Sequence, residues 1–419
     1  FLTAIVKVFI LLAVLVAVAL SLVYLLAPSI YPALNDDQVI LLRSVLAVYG
    51  LYSVVVFPFG PLDGVLLANE RLVQLKALGL FQKILTVALM IAALLLGYGL
   101  LGVVGASILG DALLTALKFR VAMRSTTVRP QWHRKTRAEL RSVLGFSVWT
   151  TVIAISQRLI INVQPSVLAA LSGVHAVALF AIATTIEGYL FAVAGGINGL
   201  LLPRVTRLTV TGEGNAEKIQ ELLERVGRLQ LYLLGTIVCG FFVLGSQFIV
   251  LWVGPELAAS YPVAAVLLLP AIVIATLNVA ETALIASGRV RYVAFSSLTA
   301  AAISLPLSML LAPDLGALGS AFAVLLGAIV GRIAYVVYVY RKHLGLKMGR
   351  FFRLVYVETV PWLLVSMLVS LVVGDLVPGE GWGSLILRGT VYLSCVVVLL
   401  FAFVFTPAER ALFHPKRWH

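Results

Sequence analysis

The chain has 419 residues, of which 61% are hydrophobic and 12% are charged, and its mean hydropathy is +1.07. Soluble domains carry roughly 25% charged residues, so this composition excludes a soluble protein. The net charge of +13 does not indicate nucleic-acid binding, because the basic residues cluster in short loops between apolar segments, as they do in membrane proteins.

Apolar runs of about 20 residues recur along the whole chain, and each is long enough to cross a bilayer as a helix. This pattern predicts an all-α polytopic membrane protein with about twelve transmembrane helices. We place the spans near residues 4–27, 39–66, 77–97, 99–118, 146–170, 174–203, 228–253, 261–287, 292–312, 316–340, 354–375 and 387–406.

The loops alternate in charge along the chain. Loops near 28–38, 171–174, 254–260, 313–315 and 376–386 contain no Lys or Arg, whereas the alternate loops are basic. The loop after span 4 holds Lys118, Arg120, Arg124, Arg129, Arg134, Lys135, Arg137 and Arg141. The positive-inside rule therefore predicts that the basic loops and the C-terminus are cytoplasmic, in a multi-pass protein of the cell (inner) membrane.

The remaining sequence features do not indicate a soluble domain, a disulfide or a metal site. Residues 213–228 form an amphipathic helical pattern, which we interpret as a solvated or interfacial connector. Cys239 and Cys395 lie far apart in apolar runs, and the five histidines show no ligand spacing, so we expect no disulfide, metal or cofactor.

An internal repeat is visible in two matching stretches. "LDGVLLANER" (62–71) and "AETALIASGR" (280–289) both place an acid eight residues before an arginine, and Asp63 aligns with Glu281. Downstream, "GLLG" from Gly99 corresponds to "GALG" from Gly316. Spans 2–4 therefore match spans 8–10 in the same direction, which predicts two pseudo-symmetric helix-bundle lobes.

The repeat sets the expected domain boundaries. We predict an N-terminal lobe over 1–122 with four of six expected helices, and a basic cytoplasmic linker over 123–143. A six-helix C-terminal lobe follows over 144–345, and two extra transmembrane helices with a cytoplasmic tail occupy 346–419. On this count, two helices would precede Phe1 in the complete first lobe.

Several stretches together resemble a known family. "LGFSVWTT" (144–151), "LSGVHAVALFAIATTI" (171–186), "LLPRVTRL" (201–208), "LWVGPELAASYP" (251–262), "LIASGRVR" (284–291) and "LGALGSAFA" (315–323) are similar in order and spacing to motifs of the polysaccharide or O-antigen flippases. These belong to the multidrug/oligosaccharidyl-lipid/polysaccharide exporter superfamily. The resemblance implies a carrier of lipid-linked oligosaccharides that rocks two six-helix bundles, with two further helices attached.

Polar residues inside the spans are candidates for the substrate site, because a charge at the bilayer centre costs on the order of 2.5–3.5 kcal/mol. Arg158 is the most central cation, and we predict that it binds a phosphate, with Gln157 and Asn162 beside it. The alternative is an ion pair with Glu187 on the next span. Arg43, Lys83 and Arg332 are further substrate-binding candidates; Lys83 and Arg332 could instead snorkel to the interface, and Asp36 or Asp37 could hold Arg43.

Acids inside the spans are candidates for coupling or gating. Asp63 and Glu281 lie at matching places near the cytoplasmic end of each lobe, so they could form gate contacts or titrate during transport. The eight-residue spacing is too long for direct contact with the following arginine, which favours pairing across helices or through water. Glu187 and Asp111 are candidates of the same kind.

These features predict flipping of a polyprenyl-phosphate-linked oligosaccharide across the cytoplasmic membrane by alternating access. The chain has no nucleotide-binding motif, so we expect a Na⁺ or H⁺ gradient or the membrane potential to drive it. Expected partners are the lipid-linked sugar, membrane lipids and other polysaccharide biosynthesis proteins, but not nucleic acid. The alternatives are a multidrug or organic-cation extruder of the same superfamily and a non-catalytic membrane subunit of a polysaccharide synthesis complex. An enzyme is not expected, because the outer loops are too short for a catalytic domain.

Overall fold

A computed structural model describes residues 2–405, apart from 33, 69–71, 126–136, 211–215, 376–378 and 380. Over these residues the structure is helical and contains no strand, as a bilayer requires when every backbone polar group must be satisfied within its own segment. The chain forms two compact units, Phe1–Gly145 and Phe146–His419. Arg71, most of the predicted linker over 123–143 and the predicted cytoplasmic tail lie outside the described residues.

The first unit contains two antiparallel helix pairs joined by a short helix. Helix α1 packs on α2, and α4 packs on α5. The short helix α3 follows α2 after a 3₁₀ turn, Phe57–Phe59, and contacts both α4 and α5. The helices are α1 (Leu2–Ile30), α2 (Asp36–Val56), α3 (Leu62–Ala68), α4 (Leu72–Leu95) and α5 (Gly99–Ser125).

The second unit is built around α7, α8 and α9, which pack on one another, and α11 packs on both α7 and α9. The unit boundary falls inside α6. The helices are α6 (Arg137–Leu171), α7 (Gly173–Val210), α8 (Ala216–Val253), α9 (Ser260–Thr276), α10 (Asn278–Ala286), α11 (Val290–Gly327), α12 (Val336–Leu344), α13 (Met348–Phe352), α14 (Val360–Asp375) and α15 (Trp382–Leu399). Turns of π-helix lie at Ala328–Tyr335, Arg353–Val357 and Leu400–Val404.

The predicted fold class is confirmed. Ten described helical stretches are long and apolar enough to cross a membrane, and the bent pair α9–α10 forms another. The stretch Val290–Leu344 is 55 residues long and has a non-helical residue, Gly316, inside it. Since a single span needs about 20 residues, this stretch contains two spans, and the described residues hold the twelve that were predicted.

The two units share the predicted internal repeat. In the first, α2 leads into α3 through the 3₁₀ turn; in the second, α9 meets α10 at a bend of 49°. Each of these spans is followed by a helical hairpin whose turn contains a glycine with a left-handed φ, Gly99 and Gly316, both at 56°. A residue with a side chain rarely adopts this conformation, so the matched glycines mark the same turn in both copies.

Close contacts inside the two hairpins also match. Gly110 on α5 lies against Thr86 on α4, and Gly327 lies against Ser304 across the bend in α11. A Cβ added to either glycine would lie 3.1 Å from the facing residue's Cβ. The two glycines are separated from each other by the repeat length, to within one residue, and so are the two hydroxyl residues. The repeat is therefore a repeat of packing as well as of sequence.

One sequence interpretation is wrong. Residues 216–228 do not form a separate solvated connector, because they are the start of α8, which continues without a break from Ala216 to Val253. Residues 213–215 lie outside the described residues. Its apolar face, which includes Leu223 and Val226, is buried in a core cluster with Phe351 and Val355. The carboxylate of Glu224 faces the same helix junction and pairs with Arg350 at 3.1 Å. The amphipathic pattern reflects burial inside the protein rather than contact with the membrane surface.

A close helix crossing at Gly331 predicts a steric effect. A Cβ at Gly331 would lie 2.6 Å from the backbone nitrogen of Ala300 and 2.7 Å from the carbonyl oxygen of Ser296. The Ser296 hydroxyl also donates to the carbonyl oxygen of Gly331 at 2.9 Å. We expect Gly331→Ala to lower the free energy of unfolding by about 1–3 kcal/mol, measured as a lower melting temperature in detergent.

Gly195 on α7 is the matched control, because it is helical and exposed, and an added Cβ would meet no atom within 4 Å. We expect Gly195→Ala to be neutral or to stabilise the protein by up to about 1 kcal/mol. Equal melting temperatures for Gly331→Ala and the unmodified protein would contradict the close packing at this crossing.

Candidate functional site

Arg158 lies near the middle of the membrane span Val148–Leu171, and its side chain is exposed. Among the residues that the structure describes, no carboxylate lies within ion-pairing distance of it and it has no hydrogen bond. Its flanking apolar neighbours Ile155 and Ile161 are each 54% exposed. A permanently charged guanidinium thus lies on an exposed helix face, and no described residue occupies its donors.

Gln157 and Asn162 lie on the same open side of α6. Both are exposed, and Asn162 is one helical turn from Arg158, so the two side chains are neighbours on that face. Two other polar residues of α6, Ser156 and Gln164, are buried. The structure therefore exposes all three predicted residues and makes Arg158 and Asn162 neighbours, one cationic and one neutral hydrogen-bonding group.

Glu187 lies on α7 and is half-buried. It does not form the alternative ion pair with Arg158, and it has no ion pair or hydrogen bond with any described residue. An unpaired carboxylate inside a membrane span is costly when ionised. Glu187 is thus suited to exchange a proton or to meet a cation.

Glu281 and Arg332 form an ion pair within the second unit. Arg332 Nη2 lies 3.3 Å from Glu281 Oε2, and both side chains are largely buried. Arg332 Nη1 also donates to the hydroxyl of Ser297 at 3.1 Å. Glu281 lies just after the bend between α9 and α10, and Arg332 lies in the π-helical turn Ala328–Tyr335. The pair ties the bent span to a helical irregularity of a kind often found at functional sites.

Asp63 forms the corresponding ion pair in the first unit. Its Oδ1 atom lies 2.6 Å from the Nζ atom of Lys118, with the lysine largely buried and the carboxylate 57% exposed. The acids Asp63 and Glu281 are 218 residues apart, and the bases Lys118 and Arg332 are 214 apart. The difference of four residues is about one helical turn, so the two bases lie on the same helix face, displaced by one turn. Each ion pair therefore ties the short helix, α3 or α10, to the second helix of the hairpin that follows it.

A cavity of about 280 Å³ lies beside the first ion pair. The pair forms part of its wall, together with Phe9, Tyr52 and Thr115. The hydroxyl of Tyr52 also lies close to the carboxylate of Asp111. The cavity therefore connects the ion pair to a second polar group inside the first unit.

Asp111 on α5 is held by neutral donors. Gln82 Nε2 donates to its Oδ1 atom at 2.8 Å and lies 3.3 Å from the hydroxyl of Thr86. In the described part of the chain, no Lys or Arg pairs with Asp111. The site thus combines a carboxylate, an amide and hydroxyls without a balancing cation.

The remaining candidates lie apart from these groups. Arg43 donates from Nε to the carbonyl oxygen of Tyr24 at 3.0 Å, and its guanidinium lies 5.4 Å from the centre of the Tyr24 ring. Arg43 is therefore held by the end of α1 rather than by Asp36 or Asp37. Lys83 is exposed on α4 and has no ion pair among the described residues.

Sequence reasoning missed the partners of the charged residues. Lys118 was assigned to a loop by its charge, yet it lies on α5 and pairs with Asp63. Gln82, Tyr52 and Ser297 are uncharged and gave no signal above the composition of a membrane helix. The described residues contain no cluster of three or more His, Cys, Asp or Glu that could hold a metal ion.

Comparison with known proteins agrees with this architecture. Residues 3–262 match the family model described as "Polysaccharide biosynthesis protein". The solved structure of "Lipid II flippase MurJ, inward closed conformation" is similar to the chain, with a TM-score of 0.73 at 12% identity. The match covers 99% of this chain and 84% of that one. No curated protein matches the sequence. Because the family model covers more than half of the chain, this multi-pass membrane protein belongs to the polysaccharide biosynthesis protein family, as its resemblance to the flippases predicted.

Proposed function

We propose that the protein flips a polyprenyl-phosphate-linked oligosaccharide across the cytoplasmic membrane by alternating access. Membership of a polysaccharide biosynthesis family and a fold shared with a lipid II flippase support translocation of a lipid-linked sugar. The observation that carries the proposal is Arg158, an exposed mid-span cation without a partner among the described residues. A phosphate-bearing headgroup supplies the anion that this position needs.

The chemistry of Arg158 suits a phosphate. A guanidinium presents paired N–H donors in a planar fork, stays charged at all physiological pH values, and binds two phosphate oxygens at once. Gln157 and Asn162 add neutral donors and acceptors for the hydroxyl groups of a sugar. The lipid tail needs no protein partner, since it stays in the hydrocarbon while the headgroup crosses.

Coupling is assigned to the acids that lack a fixed cation. Asp111 and Glu187 can each gain a proton or bind Na⁺ without first breaking a salt bridge. Asp63 and Glu281 are already neutralised by Lys118 and Arg332, so the proposed role for them is gating through these ion pairs. Either a Na⁺ or an H⁺ gradient, or the membrane potential, would supply the energy. The basic loops would face the cytoplasm, together with the C-terminus.

A multidrug extruder of the same fold is the second candidate function. Such a site would bind organic cations and would need an exposed carboxylate rather than an exposed guanidinium. The free charge of Arg158 repels that substrate class, and this observation favours the flippase. A non-catalytic subunit would not need an unpaired mid-span cation at all.

The first prediction from the proposed function concerns Arg158. We expect Arg158→Ala to reduce flipping of a labelled polyprenyl-pyrophosphate sugar in proteoliposomes by about 10- to 100-fold, because a charge-assisted contact contributes roughly 1.5–3 kcal/mol. Arg158→Lys should retain part of the activity, since it keeps the charge but loses the fork.

Arg124→Ala provides the control, because Arg124 is an exposed cation near the end of α5. It should leave flipping unchanged. The variants should also be scored by complementation of a strain that lacks its own flippase, with membrane expression checked by immunoblot. Normal flipping by Arg158→Ala would remove the phosphate role.

The second prediction concerns the ion pairs. Glu281→Gln and Arg332→Gln should each destabilise the protein by about 1–3 kcal/mol, because each leaves a partly buried charge without its partner. The double variant should cost less than the sum of the two changes. Melting temperatures in detergent measure the stability of the unmodified protein, the two single variants and the double variant. Glu256→Gln, a change at an exposed acid, is the control.

A gating role requires a further result from transport. The double variant Asp63→Asn with Glu281→Gln should change the flipping rate by a factor that differs from the product of the two single-variant factors. A combined effect equal to that product would show that the two ion pairs serve stability alone.

The third prediction concerns coupling. Flipping should accelerate when a pH or Na⁺ gradient is imposed across the proteoliposomes. We expect Glu187→Gln or Asp111→Asn to abolish this acceleration while leaving slow, gradient-independent flipping intact, because the variant side chain cannot change its charge. Acceleration that persists in both variants would place the coupling site elsewhere.

A further inference from the structure

A cluster of cationic and aromatic side chains lies at one end of the second unit. Three of its residues come from the start of α11 and the turn before it, and three come from α12. We call this cluster the basic patch; it consists of Arg289, Arg291, Tyr292, Tyr338, Lys342 and His343.

The basic patch is ordered by its own contacts. The rings of Tyr292 and His343 stack with centroids 4.3 Å apart. The guanidinium of Arg291 lies 4.8 Å from the centre of the Tyr292 ring, and Arg289 donates to the carbonyl oxygen of His343. These contacts join α12 to the turn before α11 and hold the cations in one place.

Lys342 completes the arrangement on α12. Its ammonium donates to the hydroxyl of Tyr338 at 3.2 Å and lies 5.5 Å from the centre of that ring. Tyrosines that combine an apolar ring with a polar hydroxyl are typical of the boundary between hydrocarbon and water. The patch therefore has the composition of a membrane interface.

The charge of the patch is not balanced by the protein. Arg289, Arg291 and Lys342 are exposed, and over the described ranges none of them pairs with an acid. Elsewhere in the same unit, Arg332 and Arg350 each have a carboxylate partner. The cations of the patch thus present an open positive surface.

An exposed apolar surface begins directly beside the patch. Phe295 and Leu298 follow along α11 and are 44% and 45% exposed, and Tyr338 on α12 is 57% exposed. Phe295 is one helical turn from Arg291, so the two side chains are neighbours. A ligand that covers both surfaces must carry a negative headgroup on an apolar tail.

We propose that the basic patch binds the phosphate of an anionic membrane phospholipid, whose acyl chains lie along Phe295 and Leu298. Clusters of Lys and Arg beside a transmembrane helix attract anionic lipids, and here the stacked rings hold the cations in place beforehand. The patch residues are distinct from Arg158 and from both ion pairs, so the inference does not depend on the proposed function.

The test uses the full-length protein in lipid nanodiscs of phosphatidylcholine with a minor fraction of phosphatidylglycerol. Native mass spectrometry of the released protein should show retained phosphatidylglycerol well above its fraction in the bilayer. Each Lys or Arg near an anionic surface strengthens binding about fivefold, so we expect Arg291→Gln with Lys342→Gln to lower this enrichment roughly 25-fold.

The matched control is Arg120→Gln with Arg124→Gln on α5, which removes the same charge from two exposed cations that lack an aromatic partner among the described residues. This control should keep the enrichment. An equal loss in both double variants would show a general charge effect and overturn the proposal, as would full enrichment in the patch variant. Arg291→Lys with Lys342→Arg should keep most of the enrichment, which separates a lost charge from a misfolded protein.

A competition arm separates the membrane lipid from the substrate. A short-chain polyprenyl phosphate is added to the nanodiscs at the same mole fraction as phosphatidylglycerol. Continued retention of phosphatidylglycerol supports the proposal. Its replacement by the polyprenyl phosphate, lost again in the patch variant, would identify the patch as a substrate headgroup site and contradict the proposal.

Discussion

The exclusion of water from the bilayer core is the constraint on which the structure depends. It requires each backbone segment to be helical, and it makes every charge within a span costly unless the charge is paired or meets water or a ligand. The protein treats its intramembrane charges in three ways. Asp63 and Glu281 are neutralised by Lys118 and Arg332, Asp111 is held by neutral donors, and Arg158 has no partner in the described structure. Charges that are paired inside the protein therefore stabilise its structure, whereas a charge without a partner in the described structure is available to a substrate.

Comparing the two copies of the internal repeat shows which features both units need for folding and which occur in one unit only. The turn glycines Gly99 and Gly316 and the glycine–hydroxyl contacts in both hairpins recur, because two helices that cross closely need small residues wherever they lie. The polar groups near these contacts do not recur: at the repeat spacing, Gln82 corresponds to Ala300 and Asp111 to Ala328. The first unit thus carries a carboxylate site that its counterpart lacks. Such asymmetry indicates a role other than packing.

The fold could be predicted from the sequence, and so could the intramembrane acids such as Asp63, Glu281 and Asp111. Hydrophobic spans, alternating loop charge and the repeated acids follow from strong local signals. The partners were not predictable, because Lys118 appears by charge to belong to a loop and Gln82 to an ordinary membrane helix, while contacts across helices leave no local signal. The same limit explains the error at 213–228: an amphipathic helix looks alike whether its apolar face meets lipid or, as at Leu223, a protein core.

Arg158 and Arg332 show why position alone does not define a substrate ligand. Both are arginines inside spans of the second unit. An anion approaching Arg332 would have to displace the carboxylate of Glu281 and the hydroxyl of Ser297, leaving a partly buried acid without its cation. That loss would offset most of the energy gained from the new contact. An anion approaching Arg158 meets donors that no described residue occupies, beside the exposed amides of Gln157 and Asn162. The energetic difference between the two arginines therefore favours Arg158 as the headgroup ligand and Arg332 as a structural partner.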